Sequence, residues 1–79
     1  MTTLEKYENV FCNTFSIEKV QLEGLKYQAI QAWDSVGHMV LIAGLEDAFD
    51  IMMDTDDIIN LSSFEKGKDI LMDSYSIHF

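Results

Sequence analysis

The chain has 79 residues, a formal net charge of −9 and 48% apolar residues. This is enough for one domain over residues 1–79 with a modest core, since a domain of this size buries only about 60% of the surface its unfolded chain exposes. Five Lys and no Arg give none of the basic patches that nucleic-acid backbones or anionic membranes attract, so neither nucleic-acid binding nor membrane insertion is expected.

The charge is uneven. Residues 1–33 hold four acids and three Lys, whereas residues 34–73 hold ten acids and two Lys, a net −8. Partners with basic docking surfaces are therefore expected, because complementary charge speeds encounter and selects partners. Cys12 is the one cysteine, which excludes an internal disulfide framework. No apolar leader or span is visible, so a cytoplasmic, reduced, monomeric protein is the expectation.

In chain order, Thr2 with Glu5 fits a capping box. Leu4, Tyr7, Val10, Phe11 and Phe15 follow at helical spacing, which predicts a first helix over about residues 3–13. Residues 14–33 are less regular. Their spaced apolar residues, Phe15, Ile17, Val20, Leu22, Leu25, Tyr27, Ile30 and Trp33, read as a long loop pinned to the core, with room for one short turn. Trp33 reads as the anchor of that loop, with an exposed docking aromatic as the alternative.

Asp34-Ser35 opens the clearest helix, about 35–50, and either side chain can cap it. Leu41, Ile42, Leu45 and Phe49 form its apolar stripe, with Glu46, Asp47 and Asp50 off it. Gly37 is expected to loosen the helix start by roughly 1 kcal/mol relative to Ala. A short helix is predicted after Asp54-Thr55, turning Ile58, Ile59 and Leu61 inward. Ser62 with Glu65 reads as a second capping box for a last helix over about 63–75, with Phe64, Gly67, Ile70, Leu71 and Tyr75 inside. The fold class is all-α, a small four-helix bundle of three main helices, a short third one and a long first loop.

Catalytic and metal chemistry find little support. Cys12, His38 and His78 do not make a structural zinc site. The run Asp54-Thr55-Asp56-Asp57 lacks the spacing, central Gly and terminal Glu of a calcium loop and reads as a solvated, helix-capping cluster. Ser35 and His38 could share a helical face. A hydrolytic serine also needs a base held by a third group and an oxyanion hole, and no Gly-x-Ser-x-Gly turn is present. His38 reads as a partly exposed surface residue, and the chain is not expected to be an enzyme.

Asp34-Ser35 alone would be a helix cap. Its flanks give it more meaning: Asp34-Ser35-Val36, then Leu41-Ile42, then Leu45-Glu46-Asp47-Ala48-Phe49-Asp50, then Asp54 with Asp56-Asp57 and Ile58. This ordered pattern resembles the acyl carrier protein family over about residues 33–71; over 1–32 the likeness is topological. The resemblance implies that a phosphopantetheinyl transferase attaches 4'-phosphopantetheine from coenzyme A to the Ser35 hydroxyl. The terminal thiol would then carry an acyl or aminoacyl group as a thioester to acyl- or aminoacyl-loading and acyl-transferring enzymes. It further implies that Asp34 helps the transferase engage, and that Val36, Met39, Ala43, Glu46 and Asp47 line the recognition face. Helix-exposed acids and a core Met39 are the plain structural alternatives for that face. The other overall reading is an acidic helical interaction module without a prosthetic group.

The chain departs from the family in three places. Gln31-Ala32-Trp33 stands where carriers of primary fatty acid synthesis commonly have Leu-Gly-x. Gly37, His38, Met39 and Val40 occupy places commonly acidic. Met52-Met53-Asp54 replaces the usual proline before the third helix. These differences imply a specialised carrier with its own partner enzymes.

Overall fold

The computed structural model describes all 79 residues. Four α-helices form an all-α bundle: α1 (Thr3–Phe15), α2 (Ser35–Phe49), α3 (Thr55–Asn60) and α4 (Phe64–Tyr75). A single 3-10 turn at Lys19–Gln21 interrupts the long connection between α1 and α2.

The predicted capping box closes the N-terminus of α1: Thr2 Oγ1 accepts from Glu5 N–H, and Glu5 Oε1 accepts from Thr2 N–H. α1 runs two residues beyond its predicted end. It stops where Ser16 adopts a left-handed conformation and returns its N–H to the Cys12 carbonyl. α2 and α4 end the same way, at Asp50 and Ser76. α4 corrects the sequence reading at its start. Ser63, not Ser62, is the cap, and its Oγ accepts from Lys66 N–H. Glu65 then falls one position short of a capping box.

The core draws on α1, α2, α4 and the connections. α1 contributes Tyr7, Phe11 and Phe15, and α2 contributes Leu41, Ile42 and Leu45. Phe64, Ile70 and Leu71 come from α4. Leu22, Leu25, Trp33, Met53 and Leu61 come from the connections. Trp33 is fully buried and stacks on Phe15, with ring centroids 5.2 Å apart and planes at 26°. It meets Phe11 edge-on at 5.6 Å, so it is the loop's core anchor and not a docking aromatic. The loop is pinned a second time by backbone bonds across the entrance to α4, Tyr27 N–H to the Ser62 carbonyl and Phe64 N–H to the Leu25 carbonyl. Four residues expected on the core lie outside it: Leu4, Tyr27, Ile59 at 70% exposed and Val20 at 80%.

Tyr7 makes a close polar contact inside the bundle. Its buried hydroxyl donates to the Phe64 carbonyl at 2.7 Å, and burial pushes the phenol well above its ordinary range. A side chain at Gly67 would collide with that hydroxyl, so this position of α4 admits only glycine without rearrangement.

Candidate functional site

The site grows out of the junction between Trp33 and α2. Burial of Trp33 fixes the chain immediately before the helix. Asp34 is the N-cap, with Oδ1 accepting from Gly37 N–H at 2.8 Å and its carbonyl accepting from His38 N–H at 2.8 Å. Ser35 is then the first helical residue. It is exposed, and its hydroxyl is bonded to no protein group. The Ser35 and Val36 N–H groups have no protein acceptor either, as expected at a helix start.

Gly37 has a different meaning from the one its helix propensity implies. A Cβ at this position would overlap the Ala32 carbonyl. Gly37 therefore lets the incoming loop press against the first turn, and the propensity it costs is exchanged for that close approach.

Beyond Ser35, α2 shows one exposed face. Val36 is 73% exposed, Met39 55% and Val40 53%, and Ala43 and Asp47 are exposed further along. Their spacing puts them on one stripe. Met39 is thus not a core residue. Glu46 and Asp47, paired in the sequence reading, part company here. Glu46 is half-buried and its Oε2 accepts from Met53 N–H at 2.9 Å, while its carbonyl takes the Asp50 and Ile51 N–H groups. It secures the turn after α2, and only Asp47 faces solvent freely.

His38 is the residue that sequence reasoning placed least well. Both ring nitrogens are engaged. Trp33 Nε1–H donates to Nδ1 at 3.0 Å, and Nε2 lies 2.7 Å from the Ile58 carbonyl. The ring lies nearly coplanar with the Trp33 indole, with planes at 12° and centroids 6.2 Å apart, as an in-plane hydrogen bond requires. No ring nitrogen is left to take a proton from Ser35, so the Ser35–His38 dyad lacks its base. Nothing in the helical pattern marks these contacts, because both partners come from other segments.

Between the first turn of α2 and α3 lies a cleft of about 390 Å³, lined by Tyr27, Ser35, His38, Met39, Ile58, Ile59, Leu61 and Ser62. Its walls are mostly apolar, and Ser35 stands at its edge. No Lys or Arg lies between Lys26 and Lys66, while eight acids do: Asp34, Glu46, Asp47, Asp50, Asp54, Asp56, Asp57 and Glu65. Asp54 stands at the N-cap position of α3 without a side-chain capping bond, and Asp56 and Asp57 lie in the first turn. No three His, Cys, Asp or Glu side chains come together as metal ligands, and no helix is long and apolar enough to cross a membrane. Comparison with protein-family models, with curated proteins and with solved structures returned no match.

Proposed function

We propose that this chain is a carrier protein that holds a 4'-phosphopantetheine arm on Ser35 and presents an acyl group to partner enzymes. The observation that carries the reading is the setting of Ser35: an exposed, unbonded hydroxyl at the first position of α2, on the edge of the chain's apolar cleft. The ordered pattern from Asp34 to Ile58 supports it from the sequence side.

The residues present fit the group. Free N–H groups at Ser35 and Val36 and the positive end of the α2 dipole favour a phosphodiester on this hydroxyl. When bound, the arm supplies the thiol that forms the thioester, and the protein supplies position and recognition. Tyr27, Met39, Ile58 and Ile59 offer apolar surface within reach of the cleft, which favours an uncharged acyl cargo over one bearing an ammonium. The stripe Val36, Met39, Ala43 and Asp47 is the docking face, with Glu46 bracing it from behind. Partner enzymes on this reading meet an apolar patch beside the serine and acids beyond it, so their basic side chains lie at the edge of the contact and not at its centre.

Incubation with coenzyme A, magnesium and a broad-specificity transferase should add one phosphopantetheine by intact mass. Ser35→Ala should gain nothing while keeping its fold, because Asp34 and not Ser35 is the cap. Its stability is expected to stay within about 0.5 kcal/mol of wild type. The second reading, an acidic interaction module, is favoured by the eight acids without a Lys or Arg between Lys26 and Lys66. It requires that Ser35→Ala retain full function in the cell, whereas the carrier reading requires complete loss.

A further inference from the structure

His38 does more than occupy the first turn of α2. The Trp33 indole can only donate, so its contact makes Nδ1 of His38 the acceptor. The ring proton then sits on Nε2, which donates to the Ile58 carbonyl. Ile58 lies in the last turn of α3, where carbonyls have no helical donor. His38 therefore supplies, from another helix, a cap that α3 lacks in itself.

α3 is the element that needs one most. It has six residues and none is buried, and a helix so short has no stability of its own. Its N-terminus is tied from the other side: Asp54 N–H donates to Tyr75 Oη, and Tyr75 donates to Asp57 Oδ2, both at 2.8 Å. Beyond the packing of Ile58 on the core, α3 is thus held by a polar tie at each end. It forms the far wall of the cleft through Ile58 and Ile59, and His38 lies on the near wall.

We propose that His38 is a positioning residue that holds α3 against the start of α2 and thereby sets the width of the cleft beside Ser35. The relay Trp33–His38–Ile58 links the buried loop anchor to the α3 wall, so an apolar ligand enters the cleft against the His38–Ile58 contact. This holds whether or not Ser35 carries an arm, and its test needs no prosthetic group.

The test compares wild type, His38→Ala and His38→Gln by amide hydrogen exchange and by binding of the neutral apolar dye Nile red. His38 lies outside the buried cluster, so His38→Ala is expected to fold. In that variant the Ile58 and Leu61 amides should exchange about tenfold faster, as expected for one lost hydrogen bond acting locally. The amides of α1 should keep their protection, and the affinity for Nile red should rise. Gln, which can accept from the indole and donate to a carbonyl, should restore part of the protection. In the unmodified protein, proton–nitrogen NMR should show His38 protonated on Nε2 and bare on Nδ1, with both ring signals moving as Nile red is added. The proposal is overturned if α3 exchange is unchanged in His38→Ala, if protection falls equally in every helix, or if the His38 ring signals ignore the dye. The NMR arm decides the matter should His38→Ala fail to fold.

Discussion

The helices α1, α2 and α4 and the helix α3 are held in place by different means. The first three share a core in which Tyr7, Phe11, Trp33, Leu41, Leu45 and Leu71 are all fully buried. α3 has no fully buried residue: it touches the core through the half-buried Ile58 and is otherwise held by hydrogen bonds to His38 and Tyr75. Burial is non-directional and spreads over many atoms, whereas each hydrogen bond contributes only about 1 kcal/mol and demands fixed geometry. The large part of the molecule is therefore a scaffold, and the small part is adjustable. The cleft lies between them, with Ser35 on the scaffold side.

Substitutions can break this contrast. The largest effect is expected at Trp33, whose truncation to Ala should cost about 3–5 kcal/mol and lower helix content throughout, read by denaturant unfolding. A loss confined to α3 would mean that Trp33 is not the common anchor. Tyr7→Phe comes next: it leaves the Phe64 carbonyl without its buried donor and should cost roughly 1–3 kcal/mol. Gly67→Ala should be less damaging in that background than in wild type, because the hydroxyl it would strike is gone. Additive effects in this cycle would refute the steric link.

Tyr75→Phe tests the other side of the contrast. It removes the acceptor for Asp54 N–H and the donor to Asp57. Global stability should fall by no more than about 1 kcal/mol, while exchange of the α3 amides rises selectively. A large global loss would show that α3 is part of the scaffold after all.

The smallest effect concerns Glu5, whose carboxyl is held below its ordinary value first by the Thr2 N–H and then by the Thr2 hydroxyl. A depressed folded value means that this stabilisation is present above the ordinary value of 4.5 and is lost as pH falls through the depressed one. Glu5→Gln should remove that part of the acid dependence by lowering stability at neutral pH slightly while leaving it nearly unchanged in acid. Acid unfolding of the same steepness in both proteins would contradict it.

The scaffold was legible in the sequence because apolar residues recur at helical spacing in α1, α2 and α4, and burial follows that spacing. Helix ends were harder to read. The stops at Ser16, Asp50 and Ser76 adopt left-handed backbone without being glycine, so the usual terminal signal is missing. Ser63 displaced Ser62 as a cap because the Ser62 carbonyl accepts from Tyr27 N–H across the loop. Of the site, Asp34 and Ser35 were legible from local pattern, whereas the exposed stripe of α2 was implied only by the family resemblance, with Met39 open between core and surface and Glu46 wrongly included. The roles of Glu46, His38 and Tyr75 were not, because each depends on a partner 7 to 21 positions away that no periodicity reveals. Ile59 misled for a related reason: an apolar residue on a short helix reads as core, but here it forms the wall of a cleft.

The decisive measurement is intact-mass and peptide mapping of the folded chain after incubation with coenzyme A, magnesium and a broad-specificity phosphopantetheinyl transferase. A carrier should gain one phosphopantetheine, mapped to Ser35 and absent from Ser35→Ala. A folded wild-type chain that stays unmodified with several transferases, or a group mapped to another residue, would contradict the carrier function.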